Sequence, residues 1–222
     1  MTFKSATLAG LFSAALVATA HPAQALTIDN FDCNDTSASA TSGSVSTSTL
    51  NNTCVVGTGD RELELSGITG SIGGDEAEVK VAGGLLSLNQ DGAVDSTLTV
   101  TWDDFGLQNL TAGGATMFGV MLTYVDQWLN MTMRVVDGSA NVSTMTLNNI
   151  EEGLHVLPFA SFIGGANFSN IASIQMIIDG PTGLDAKFDS VTTSSPVPEP
   201  ATFMLLGLGL LGVGAKRVLR KA

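Results

Sequence analysis

The sequence predicts an all-β protein, an antiparallel β-sandwich of jelly-roll type, with an N-terminal signal helix and a C-terminal transmembrane helix outside the sandwich. Three observations predict it: short runs in which apolar and polar residues alternate, turn residues between those runs, and an uncharged apolar stretch near each terminus. The alternating runs include Leu63-Glu64-Leu65, Val79-Lys80-Val81, Leu98 to Trp102 and Leu129 to Val135. A period of two is that of a strand with one buried face. Gly57 to Asp60, Gly73 to Asp75, Asp91-Gly92, Gly113-Gly114, Asp137-Gly138, Gly164-Gly165 and Asp179 to Pro181 fall between the runs as turns. This spacing predicts about ten strands. No interior segment keeps a 3.6-residue apolar period through a full globular helix, which favours a sandwich over an α/β arrangement. A single helical turn fits around Phe159 to Phe162 or Phe168 to Ile171.

The first 25 residues read as a secretory signal peptide. A weakly positive start, Met1 to Lys4, precedes the uncharged core Ser5 to Ala20, and His21-Pro22 breaks that helix. Ala23-Gln24-Ala25 supplies the small-x-small pattern of a signal peptidase site, placing cleavage after Ala25. Residues 26–195 then form the ectodomain, outside the cytoplasm, where Cys33 and Cys54 can oxidise to a disulfide. That bridge would close a segment in which ten of the fifteen residues Thr36 to Leu50 are Ser or Thr. It is expected to staple a flexible edge, contributing about 3 kcal/mol.

At the other end, Ala201 to Ala215 is uncharged and is followed by Lys216, Arg217, Arg220 and Lys221. Fifteen residues rise roughly 22 Å as a helix against a hydrocarbon core of about 30 Å, a short span with a basic, positive-inside stop. Gly207-Leu208-Gly209-Leu210-Leu211-Gly212 matches the letters of a dinucleotide-binding fingerprint but lacks the strand, helix and downstream acid that motif needs. Directly before the apolar stretch stands Pro198-Glu199-Pro200. The order Pro-Glu-Pro, Gly/Leu-rich helix and basic end over residues 196–222 closely resembles the PEP-CTERM sorting signal of exported bacterial proteins. The resemblance implies recognition by an exosortase, a membrane-embedded cysteine transpeptidase-like enzyme. It implies transient anchoring in the inner membrane, then removal of the tail and release or attachment of the ectodomain at the cell surface. Such proteins typically belong to Gram-negative bacteria that make extracellular polysaccharide.

Several ectodomain segments also resemble a recurrent ectodomain of that group: Leu26 to Asp32, Val56 to Leu63, Leu157 to Phe162, Ile171 to Gly180 and Leu184 to Val191. They are similar to jelly rolls of the galactose-binding-like and carbohydrate-binding-module type, whose last strand ends as Phe188-Asp189-Ser190-Val191 does here. In such folds the terminal strands lie together and hold a structural calcium. The resemblance thus makes Asp29 and Asp189 the candidate metal ligands.

The whole chain is acidic, 21 Asp and Glu against 9 Lys and Arg for a net −12, and residues 26–195 alone carry −16. This balance argues against nucleic acid as a partner, because affinity for a phosphate backbone comes largely from Lys and Arg. One histidine, His155, remains after signal removal, and there is no GxSxG or HExxH, so nucleophilic and zinc chemistry have no residue set. Asp103-Asp104, Glu151-Glu152 and Asp75-Glu76 are paired acids, but neighbours on a strand face opposite sides, whereas a glycosidase needs two carboxyls in one cleft. Trp128 and Tyr124 offer flat faces for sugar stacking, and Trp102 falls on a core position. The leading expectation is an exported, non-enzymatic cell-surface or extracellular-matrix protein. The alternative is a carbohydrate-binding module for extracellular polysaccharide, and the third class is a glycoside-acting enzyme.

Overall fold

The protein is described by a computed structural model over residues 26–32, 36–41, 44–50, 56–70, 74 and 76–195. In chain order its strands are β1 (Thr27–Asp29), β2 (Thr36–Thr41), β3 (Ser46–Leu50), β4 (Asp60–Thr69), β5 (Glu76–Ala82), β6 (Leu85–Gln90) and β7 (Asp95–Asp103). There follow β8 (Met117–Val125), β9 (Leu129–Asp137), β10 (Val142–Ile150), β11 (Gly153–Pro158), β12 (Ile163–Gly164), β13 (Ile171–Asp179) and β14 (Ala186–Ser194).

They build two seven-stranded antiparallel sheets that pack face to face as a β-sandwich. One runs β11-β8-β14-β6-β5-β2, with β1 also pairing β14; the other runs β12-β10-β9-β13-β7-β4-β3. Alternation puts Val79, Val81, Leu86, Leu88, Phe118 and Val120 on the inner face of the first sheet, all fully buried. Leu63, Leu65, Leu98, Val100, Met131 and Met133 do the same for the second. Phe159–Ser161 forms one 3-10 turn, where a single turn was expected.

Residues 36–50 depart from expectation. In place of a flexible loop, they supply edge strands β2 and β3, one to each sheet. The pattern is legible once seen: Ala38 and Ala40 are buried between exposed Ser37, Ser39 and Thr41, a period of two written in small residues. Cys33 and Cys54 lie outside the described residues, and the expected disulfide finds no support in the structure. The signal helix (residues 1–25) and the C-terminal helix also lie outside them; among the described residues no helix is long and apolar enough to cross a membrane.

One polar cluster sits inside the sandwich. Arg61 on β4 and Trp102 on β7 are direct cross-strand partners. Both are buried and reach across to the same atom of the opposite sheet: Arg61 Nη1 donates to Asp29 Oδ2 at 2.8 Å, and Trp102 Nε1 donates to it at 2.9 Å. The Phe31 N–H donates to Asp29 Oδ1 at 2.8 Å, and the Arg61 guanidinium lies 5.8 Å from the Phe31 ring centroid. Removing one partner of a buried charge pair strands the other. Asp29→Ala should therefore lower unfolding free energy by about 3–5 kcal/mol, whereas Asp29→Asn, which keeps an acceptor oxygen, should lose less. Urea denaturation of the two variants tests this; equal losses would contradict it.

Candidate functional site

The connections of the sandwich gather at two poles. At one, Leu129 pairs with Ile150 as β9 begins and β10 ends; at the other, Val136 pairs with Val142. The first pole collects the β8–β9 connection (126–128), the β10–β11 connection (151–152) and the β13–β14 connection (180–185). Between the first two lies an open cleft of about 380 Å³ lined by Val125, Asp126, Gln127, Trp128, Glu151 and Glu152.

Hydrogen bonds fix its floor. The Asp185 N–H donates to Asp126 Oδ1 at 2.9 Å and the Asp126 N–H donates to the Asp185 carbonyl at 3.1 Å. Gln127 Nε2 donates to the Thr182 and Gly183 carbonyls at 3.2 and 3.3 Å. Asp126 and Gln127 thus hold the connection in place, leaving the Trp128 indole, 47% exposed, with Glu151 and Glu152 as the accessible chemistry. A flat aromatic face beside carboxylate acceptors suits a neutral, hydroxyl-bearing ring: apolar C–H faces stack and hydroxyls donate. Among the described residues, no cation lines the cleft to receive an anionic group.

The sequence-predicted residues are distributed unevenly over this geometry. Trp128 lines the cleft, but Tyr124 does not; it sits at the end of β8 with Lys187 Nζ 5.5 Å from its ring centroid. Glu151 and Glu152, set aside as a catalytic pair, lie in a connection and both line the cleft. His155 occupies edge strand β11, its Nε2 2.6 Å from the Glu151 carbonyl oxygen. Trp102 is core, as expected. Asp29 and Asp189 are not brought together as a metal pair. Both oxygens of Asp29 are engaged inside the sandwich, while Asp189, next to buried Phe188, is exposed on the outer face of β14. Among the described residues no group of three or more His, Cys, Asp or Glu side chains could hold a metal ion. Pro198, Glu199, Pro200, Lys216, Arg217, Arg220 and Lys221 lie outside the described residues.

Acidity leaves its mark on individual groups. Desolvation raises the Asp95 pKa above the usual carboxylate value, and the charge of Asp179 adds to it. Asp103 is raised by desolvation and then by Asp104, Asp60 and Glu62. Asp137 goes the other way. Its side chain, 4% exposed, accepts from Asn141 Nδ2 and from the backbone N–H groups of Asn167, Asn141 and Ser139, and these donors hold its pKa down at about 2.

Comparison with known proteins adds the following. Residues 196–221 match the PEP-CTERM protein-sorting motif. No curated protein matches the chain. Among solved structures, the family 11 carbohydrate-binding module of cellulosomal cellulase Lic26A-Cel5E of Clostridium thermocellum aligns at 12% identity with a TM-score of 0.42, covering 80% of this chain and 98% of the module. PfGH50B aligns at 12% identity and a TM-score of 0.43, over 56% of this chain and 22% of its own. The agarase AgWH50C aligns at 13% identity and 0.34, over 61% and 23%. This chain thus spans less than a quarter of the length of the last two. The sorting motif marks an exported protein of the cell envelope.

The pKa directions predict a stability profile. For Asp95 and Asp103 the folded value exceeds the unfolded one, so their protonation stabilises the fold and stability rises as pH falls from neutrality through the raised values. Asp137 contributes stability that is complete above its unfolded pKa of about 3.9 and is lost as pH falls toward its folded value. Thermal melts should therefore peak on the acid side of neutrality. Asp137→Asn should lower the melting temperature at pH 7 by several degrees and flatten its decline below about pH 4. An unchanged acid limb in that variant would refute the assignment.

Proposed function

We propose that the chain is an exported, non-enzymatic cell-surface or extracellular-matrix protein. In this reading residues 1–25 are removed by signal peptidase, and residues 196–222 hold the chain transiently in the inner membrane. An exosortase then acts at Pro198-Glu199-Pro200, with Lys216, Arg217, Arg220 and Lys221 as the cytoplasmic stop. The observation that carries it is the sorting motif over residues 196–221. Two prolines flanking Glu199 keep this stretch out of the following helix, which suits presentation of an extended backbone to a processing enzyme. The ectodomain is read as a jelly roll; passage of the chain between the sheets at β7–β8, β8–β9, β10–β11 and β13–β14 supports that topology.

A second reading, attachment to extracellular polysaccharide, has one specific observation in its favour: Trp128 stands half-exposed in a cleft whose other accessible groups are Glu151 and Glu152. The carboxylates favour an uncharged glycan over a uronic acid polymer, which they would repel unless a divalent cation intervened.

Two experiments separate the readings. Fractionation of cells should find the full chain with the envelope and a chain ended at Ser195 in the soluble exported fraction; equal envelope retention of both would overturn the sorting reading. Affinity electrophoresis through neutral β-glucan gels should show retardation that Trp128→Ala weakens by about tenfold, equivalent to ~1.4 kcal/mol, and that Tyr124→Ala leaves intact. Migration of the unmutated chain unaffected by any neutral glycan would eliminate the second reading.

A further inference from the structure

At the pole opposite the cleft, residues 105–116, 138–141 and 159–170 form one flank, and none of these segments contains Asp, Glu, Lys or Arg. In a domain carrying −16 this is a sizeable uncharged surface. Backbone bonds lace the segments into one unit: Gln108 and Ile171 exchange N–H to carbonyl bonds at 2.8 Å, the Leu110 N–H donates to the Phe168 carbonyl at 2.9 Å, and the Gly138 N–H donates to the Asn170 carbonyl at 2.8 Å. Two carboxylates adjoin them: Asp137, buried and spent on loop donors, and Asp104, exposed directly before Phe105. Asp60, Asp103 and Asp104 are at the same end but sit at β4 and the end of β7, on the other side of β13.

The surface is apolar as well as uncharged. Ile163 is 84% and Leu107 61% exposed. Beside them Phe159, Phe162 and Phe168 are only half-buried, packed on one another and on Phe118 with ring centroids 4.5–6.5 Å apart.

The chain leaves the sandwich here. The Thr116 N–H donates to the Ser194 carbonyl at 2.9 Å, and the Phe159 N–H donates to the Thr116 carbonyl at 2.8 Å, so the last strand ends against the aromatic cluster. Between Ser195 and the apolar stretch that begins at Ala201 stand only residues 196–200. Even fully extended, that link reaches about 20 Å. Nine-residue strands such as β8, β9 and β14 span about 30 Å, so the cleft pole cannot take the place of the exit pole at the membrane without overrunning the tether.

We propose that this uncharged flank rests on the outer surface of the inner membrane while residues 196–222 are attached, with Ile163, Leu107 and the Phe159–Phe162–Phe168 edge in the headgroup region. The inference rests on the sorting reading above. A lipid surface fits better than a second copy of the chain, because the short link of residues 196–200 keeps this pole within about 20 Å of the bilayer, whereas no such link brings a second copy to it. Against a bilayer, the uncharged flank is the part of an acidic domain that anionic headgroups repel least. Docking in this way holds Pro198 to Pro200 at the bilayer surface and turns the Trp128 cleft outward.

The test uses the full chain reconstituted in vesicles of phosphatidylethanolamine and phosphatidylglycerol with brominated acyl chains, which quench nearby indoles. Trp128→Phe serves as parent, and Ile163→Trp or Val45→Trp is added; both added positions are exposed, Val45 at 64% and beside the cleft-pole end of β3. Emission above the parent should be mostly lost for Ile163→Trp and retained for Val45→Trp. Flotation with the vesicles but equal emission from the two positions overturns the docking and leaves the sorting reading standing. Failure to float overturns both. A blue shift at position 163 that grows with protein density and is insensitive to bromine assigns the pole to a second copy and likewise overturns the proposal.

Discussion

The carboxylate of Asp29 joins the two sheets through a buried ion pair, beside the neutral buried contact from Gln90 on β6 to Ser96 on β7. Arg61 and Trp102 stand side by side on neighbouring strands of one sheet and converge on an oxygen supplied by the other. Burying a guanidinium costs several kcal/mol, recovered only when geometry and hydrogen bonding are good. Here Asp29 receives three donors and the guanidinium also lies over Phe31. Such a cluster has one arrangement that satisfies it. A one-residue register slip of β4 would swing Arg61 out of the interior, and a shift of one sheet over the other would leave Asp29 there unpaired, so the cluster selects the facing of the sheets as well as contributing to their adhesion.

The class and the central strands were legible because their alternation is written in large apolar residues, as in Leu98 to Trp102 and Leu129 to Val135. β2 was not legible, because Ala38 and Ala40 among Ser and Thr give the same alternation almost no hydrophobic contrast. Arg61 could have been read. Its position two before Leu63 and four before Leu65 puts it on their buried face, and a buried cation demands a partner. Asp29 was instead assigned by analogy to a metal, although plain alternation past buried Phe188 already points Asp189 outward. The cleft escaped notice for a different reason: Asp126 to Trp128 and Glu151-Glu152 are 25 residues apart, and only the antiparallel pairing of β9 with β10 brings their connections to one pole. The sorting motif over residues 196–221 was the opposite case, readable from composition and order alone because it is a linear pattern.

Charge and apolarity are distributed along the long axis of the sandwich. Carboxylates crowd the cleft end, where desolvation and then Asp179 raise Asp95, and the β4–β7 corner of the exit end, where desolvation and then Asp104, Asp60 and Glu62 raise Asp103, while the flank of the exit end between β8 and β13 carries none. Net charge alone would describe a uniformly repulsive particle. The placement describes one with a preferred orientation relative to any charged boundary, and the tether length turns that preference into a geometric constraint.

The position of β14 carries a consequence for how the protein is made. It is the last strand of the ectodomain, yet it lies inside its sheet between β8 and β6 and also pairs with β1, with Thr27 opposite Thr192. A chain emerging from a translocation channel N-terminus first therefore cannot complete this sheet until its final ectodomain residues appear, and Leu26 to Asp29 must wait unpaired throughout. Closure of so non-local a ladder is slow relative to local events. On the proposed sorting route, in which residues 196–222 hold the chain in the membrane, that closure falls to a domain already tethered beside the bilayer.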